Sequence, residues 1–144
     1  MSEAKPAPAA NPPLIAELEW QGENRFLARS GGVSMVIDSP PVAGPSPVQA
    51  LALALAGCMA VAVAVVMRRS HLEMKKLQVR LVAERAASDP KRIETVDLHF
   101  TVAGAIPPDR MQRALELSRE KYCSVWHSLR PDIRFTTSFE LLPG

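Results

Sequence analysis

The apolar positions change their period several times along the chain. From Leu14 onward, LIAELEW, RFLARS and VSMVID are short runs separated by QGEN and by GG, which is the turn chemistry of a small antiparallel meander. SPPVAGPSP then interrupts regular structure. Ser46-Pro47-Val48-Gln49 predicts a helix start, with Ser at the N-cap, Pro at the first helical position and Gln three residues after the cap. The helix continues through the uncharged stretch ALALALAGCMAVAVAVVM, Ala50 to Met67, and ends where Arg68, Arg69 and His71 complement its negative pole. At about 24 residues it would be roughly 36 Å long, and it is apolar on every side.

Two alternating segments follow, KLQVRLVAERA and ETVDLHFTVAG, joined by SDPKR as a hairpin. Val96, Leu98, Phe100 and Val102 share one face of the second, while Asp97, His99 and Thr101 share the other. IPPDRMQRALELSREKYC predicts a helix whose buried face carries Met111, Ala114, Leu115, Ser118 and Tyr122. A short helical turn and a final strand, DIRFTTSFELLP, close the chain. Three strands, a long helix, two strands, two helical segments and a strand give an α+β class, with an antiparallel sheet wrapped around the long helix. One small sheet covers only one side of a helix that has no polar face. A second copy of the chain is expected on the other side, as an obligate homodimer built around paired central helices.

Composition narrows the classes. A chain of 144 residues is one domain's length, 47% hydrophobic and 22% charged with a formal net charge of +2, and it carries no basic stripe or interleaved aromatic series for nucleic acid. The uncharged run is near the lower limit for a membrane span, but it is rich in alanine and its flanks read as ordinary soluble strands, so a buried core helix is expected rather than a membrane protein. MSEAKPAPAANPP, residues 1–13, predicts a disordered tail before a single domain over 14–144. It lacks the apolar core of a secretory signal, and a cytoplasmic location is expected.

In that compartment the only two cysteines, Cys58 and Cys123, would stay reduced unless they are redox-active, metal-bound or simply buried. Cys123 and His127 stand four apart, but His71 and His99 are isolated. No second pair of ligands completes a metal site, and neither metal nor cofactor is expected. Tyr122 and Trp126 beside Cys123 are of the type that forms a core or a pocket wall.

SPVQALALALAGC resembles the helix start and first-cysteine motif of the OsmC/Ohr family of thiol peroxidases, and ALELSREKYCSVWHSL resembles that family's second-cysteine motif. The likeness covers residues 14–144 and is strongest toward the OsmC-like branch. It implies an OsmC-like fold, an intertwined homodimer with the cysteines close together on long central helices, and reduction of organic hydroperoxides. Carried over by position, Cys58 is the peroxidatic cysteine, Cys123 the resolving one and Arg25 the stand-in for the family's activating arginine. Val48, which with Tyr122 and Trp126 is expected at the substrate, occupies the position where the well-studied peroxidases have a glutamate. Ala62 stands where many relatives in the branch have aspartate.

A thiol reduces a peroxide as the thiolate, against an ordinary cysteine pKa of roughly 8.5. The apolar neighbours of Cys58 disfavour that charge, so a cation or a helix N-terminus must be supplied by the fold. Arg25, Arg29, Lys121 and His127 are the candidate cations, and a turn starting near Ser124 would lower the pKa of Cys123. The expected function is a two-cysteine peroxidase cycle reset by a dithiol reductant. The alternative is a non-catalytic protein of the same fold that binds a small hydrophobic molecule.

Overall fold

The computed structural model describes residues 11–144; of the tail expected to be disordered, residues 1–10 lie outside the described residues. The elements are β1 (Glu17–Trp20), β2 (Arg25–Ser30), β3 (Val33–Asp38), α1 (Pro47–Arg69), β4 (Lys76–Arg85), β5 (Ile93–Ala103), α2 (Pro108–Leu117), a π-helical turn (Ser118–Tyr122), α3 (Ser124–His127) and β6 (Arg134–Leu142). The architecture is mixed α+β with two three-stranded sheets. The chain forms two compact units, one up to Val48 and one over Gln49–Gly144.

The first unit is an antiparallel meander, β1-β2-β3. Gly22 and Glu23 adopt positive φ in the first turn and Gly31 in the second, conformations that glycine takes without steric cost. The register pairs Leu18 with Ala28, Trp20 with Phe26, Phe26 with Ile37 and Ala28 with Met35, so one face of this sheet is apolar. Asp38, at the end of β3, is buried and accepts the Ala43 N–H at 3.0 Å and the Arg25 Nε at 3.2 Å. These donors, the Ala43 amide first, outweigh its burial and hold its carboxyl below the usual range.

In the second unit β4 and β5 form the expected hairpin, with Val79 opposite Phe100 and Leu81 opposite Leu98. β6 departs from the expected antiparallel arrangement. It runs parallel to β5, pairing Val96 with Phe135 and Phe100 with Phe139, and makes the second sheet mixed. The cause is the connection: α2, the π turn and α3 fill the crossover that a parallel pair requires, whereas a hairpin needs only a tight turn. Gly104 ends β5 at φ +137°, where a Cβ would come within 2.7 Å of the Glu73 carbonyl oxygen.

Helix α1 begins at Pro47, as its capping sequence predicts, and ends on Arg68 and Arg69. Leu55, Met59, Val63 and Met67 fall at four-residue steps and are almost wholly buried. They join Val96, Leu98, Phe100 and Val102 of β5 and Met111, Ala114 and Leu115 of α2 in one core. Each such side chain contributes about 1.5–3 kcal/mol on burial. By length and composition α1 could also cross a membrane, but its buried stripe places it as the core helix of the second unit. Its other side is open, with Leu53 63% and Val61 64% exposed.

The sequence predicts one α-helix through Cys123, and here the structure differs. α2 stops at Leu117, and the backbone widens so that the Cys123 N–H donates to the Ser118 carbonyl at 2.7 Å, five residues back. The extra residue rotates Tyr122 off the buried face, leaving it 43% exposed, and brings Cys123 onto that face at 0%. The Ser118 hydroxyl, also buried, donates to the Ala114 carbonyl at 2.7 Å, a side-chain bond to the preceding turn that favours distortion of a helix.

Candidate functional site

Cys58 projects from the middle of α1, half-buried, and Cys123 is the N-cap residue of α3. Both are free thiols. The fold brings them together because the widened turn after α2 aims Cys123 inward and starts α3 next to Cys58. The Cys58 Sγ lies 3.9 Å from the Ser124 Oγ. The Cys123 Sγ accepts the Trp126 N–H at 3.4 Å, closing the first turn of α3 in the manner of a capping side chain.

The two thiols are driven apart electrostatically. Burial raises Cys58, but the Val125 N–H, the Cys123 thiol, and the hydroxyl and N–H of Ser124 outweigh it, so Cys58 ionises below the ordinary thiol value. Cys123 is pushed up to about 11, first by burial and then by the neighbouring Cys58, against partial relief from the Trp126 and Val125 amides. The pair is therefore split, with Cys58 the more readily ionised and Cys123 the thiol. This reverses the sequence expectation for α3: its first amides lower the pKa of Cys58, while Cys123, although at the cap, is too well buried to ionise.

Each candidate cation has a neighbour of its own. Arg25, on β2, pairs with Asp38 at 3.2 Å, and Arg29 pairs with Glu19 at 3.2 Å. The Lys121 Nζ lies 5.5 Å from the centre of the Tyr122 ring. The His127 Nε2 is 3.0 Å from the carbonyl oxygens of both Arg119 and Glu120, to which it donates. The groups that lower Cys58 are thus neutral donors: backbone amides, a hydroxyl and a thiol. Ser124 and Val125 were not singled out in the sequence as partners of Cys58, because backbone amides carry no side-chain signature.

Beside Cys58 the open side of α1 forms a pocket of about 510 Å³, walled on the helix by Ala54, Gly57, Val61 and Val65, with Tyr122 from the π turn and Arg69 farther along. Tyr122 lines this hollow and is not part of the core. The Trp126 ring packs on Phe135, with centroids 4.5 Å apart, and the Arg119 guanidinium lies over both rings. Val48 is half-buried in the first turn of α1, ten residues before Cys58. Among the described residues no group of three or more His, Cys, Asp or Glu could hold a metal ion.

Comparison with known proteins agrees with this geometry. Residues 39–138, more than half of the chain, match the family of OsmC-like proteins. The protein YhfA of Escherichia coli K12 is 31% identical over 132 residues, covering 90% of this chain and 98% of its own. A hypothetical protein from Aquifex aeolicus VF5 superposes with a TM-score of 0.84 at 24% identity, covering 91% of this chain and 97% of that one. An organic hydroperoxide resistance protein OsmC from Legionella pneumophila gives a TM-score of 0.68 at 16% identity, covering 92% and 99%. The last two likenesses show the fold alone. The motifs around Cys58 and Cys123, the α+β architecture and the match over residues 39–138 place this chain in the OsmC-like protein family.

Proposed function

We propose that the protein is a thiol-dependent peroxidase that reduces organic hydroperoxides with Cys58 as the attacking and Cys123 as the resolving residue. The observation that carries this reading is the placement of two free thiols at the start of α3, the Cys58 Sγ 3.9 Å from the Ser124 Oγ and the Cys123 Sγ accepting the Trp126 N–H, an arrangement that lowers Cys58 and raises Cys123. The Cys58 thiolate attacks one peroxide oxygen, the O–O bond breaks, and the alkoxide leaves as ROH after taking up a proton. Cys58 is then a sulfenic acid. The Cys123 sulfur displaces its hydroxyl group, a disulfide forms and water departs. A dithiol reductant returns both thiols by exchange and is itself oxidised to a disulfide. The small apolar residues that wall the pocket favour an organic over an aqueous peroxide.

The working form in this proposal is a cytoplasmic homodimer. Leu18, Trp20 and Met35 on the apolar face of the first sheet are 59%, 66% and 43% exposed, and Leu53 and Val61 leave α1 open as well. Exposed apolar faces of this kind are usually covered by a partner, and a second copy of the chain is the partner this proposal gives them.

Mass spectrometry after one equivalent of cumene hydroperoxide tests the chemistry. A loss of two mass units, mapped to a Cys58–Cys123 disulfide and absent in Cys58→Ala, supports it; an unchanged mass rejects it. The pocket itself favours a second reading, a non-catalytic protein that binds a small hydrophobic molecule. An unchanged mass together with saturable binding of an apolar probe would establish that alternative.

A further inference from the structure

His127 closes α3, and its imidazole reaches back to the segment before it. The Nε2 lies 3.0 Å from the carbonyl oxygens of both Arg119 and Glu120 in the π turn. A carbonyl oxygen only accepts, so Nε2 carries the proton and shares it between the two, a forked arrangement common at helix ends. These carbonyls have lost their helical partners. In an unbroken α-helix the Arg119 carbonyl takes the N–H of Cys123 and the Glu120 carbonyl that of Ser124. Here the Cys123 N–H goes to the Ser118 carbonyl at 2.7 Å, the chain turns extended at Cys123 (φ −82°, ψ 90°), and the Ser124 N–H faces Cys58. One imidazole N–H stands in for both amides.

We infer that His127 is a positioning residue: by bonding the Arg119 and Glu120 carbonyls it holds the bend between the π turn and α3, and so keeps the first turn of α3 seated against Cys58. The reach follows from the fold. The His127 N–H bonds to the Cys123 carbonyl at 3.2 Å, which completes the single turn of α3. A helical side chain leans toward the N-terminus, over the turn that precedes it. A histidine four residues after the bend therefore meets the carbonyls just before it. Without the brace those carbonyls turn to water or recover the Cys123 and Ser124 amides. Water ties nothing to α3, and recovery of the amides straightens the bend. Either way the Ser124 hydroxyl loses its fixed place 3.9 Å from the Cys58 Sγ. The bearing of the brace on turnover rests on the proposed activity; its effect on the reactivity of Cys58 does not.

Two variants separate the imidazole N–H from the bulk of the ring. His127→Leu removes the donor and keeps an apolar side chain of moderate size, whereas His127→Gln returns an amide N–H close to where Nε2 stood. His127 is exposed, so both should fold normally by circular dichroism. The rate of Cys58 alkylation by iodoacetamide and the midpoint of its pH profile are read peptide by peptide in the full-length protein, with urea midpoints measured alongside. His127→Leu is expected to slow alkylation at pH 7 by about tenfold and to move the pH midpoint up, the scale of a hydrogen bond to a charged group. His127→Gln should recover most of the rate. A lower urea midpoint in His127→Leu with the pH midpoint of Cys58 unmoved would make the residue merely structural and overturn the inference. An equal loss in His127→Gln would overturn it too. Failure of wild type to form the disulfide with cumene hydroperoxide, with the His127 dependence of alkylation retained, would defeat the peroxidase reading and leave the brace standing.

Discussion

The Sγ of Cys58, in the middle of α1, and the Oγ of Ser124, the first residue of α3, lie 3.9 Å apart across 66 residues of sequence. Through this contact and the adjacent amides, a thiol among apolar neighbours is lowered without a cation. Ser124→Ala removes the hydroxyl and keeps the amide. Alkylation of Cys58 at pH 7 should slow by about three- to tenfold, the worth of one hydrogen bond to a charged group at a half-exposed site. The midpoint of its pH profile should move up. Stopped-flow alkylation from pH 5 to pH 10 measures both, and an unchanged profile would assign the lowering wholly to the backbone.

The two thiols should also separate in their own pH dependence. Cys58 should be alkylated at neutral pH while Cys123, fully buried and raised to about 11, is spared. The sign for stability follows from the same values. Cys123 is raised in the folded chain above the ordinary thiol value, so its contribution is complete below that value. Between there and about pH 11 the unfolded chain gives up a proton that the folded chain keeps, and the contribution is lost as pH rises. Cys58 is lowered, so its contribution is complete above the ordinary value and is lost as pH falls through its depressed one. Urea midpoints of wild type and Cys123→Ala, compared at pH 8 and pH 11, should converge at the higher pH.

The strands and α1 were legible in the sequence because each rests on a local signal. RFLARS and VSMVID became β2 and β3 without adjustment, and Pro47 opened α1, because turn glycines and a helix-starting proline act within a few residues. The π turn was not legible. An α-helical face through Tyr122 fits the apolar spacing as well as the actual widening does, and the choice falls to Cys123, whose burial is settled by packing against distant elements. The direction of β6 was hidden for a related reason, since its pairing with β5 is set by how far α2 and α3 carry the chain. At the site, position in two motifs was enough to single out Cys58 and Cys123. The order of their ionisation depends on amides that any sequence would supply.

Gly104 offers a test of the core's construction that is independent of the chemistry. Its φ of +137° lies outside the range of other residues, and an added methyl would come within 2.7 Å of the Glu73 carbonyl oxygen, a backbone atom that cannot swing aside. Gly104→Ala should destabilise the protein by about 1–3 kcal/mol, measured as a lower urea midpoint with an unchanged slope.

Self-association should depend on the apolar face of the first sheet. Trp20 is 66% exposed with Leu18 on the same face, and tryptophan at an interface centre commonly dominates binding. Trp20→Ala should weaken the proposed homodimer by about tenfold or more in sedimentation equilibrium. Because Trp20 is so exposed, the variant should fold normally by circular dichroism. A tight dimer in Trp20→Ala would place the interface elsewhere, with the open face of α1 the next surface to alter.

Replacing the resolving residue exposes the intermediate that the cycle requires. In Cys123→Ser the thiol that donates to Cys58 becomes a hydroxyl of similar size, and the Trp126 amide keeps an acceptor at the start of α3. Attack on the peroxide should still occur, because the Val125 and Ser124 donors to Cys58 remain. Condensation to a disulfide cannot follow. The Cys58 sulfenic acid should therefore persist after one equivalent of cumene hydroperoxide, react with dimedone, and pass to sulfinic acid when oxidant is in excess. Wild type under the same conditions should form the disulfide and resist dimedone, and turnover with a dithiol reductant should fall by about a hundredfold or more in the variant, which lacks the fast intramolecular step. Full turnover in Cys123→Ser would mean that the external reductant attacks the sulfenic acid directly. Cys123 would then serve to hold Cys58 in its ionised state rather than to exchange sulfur with it.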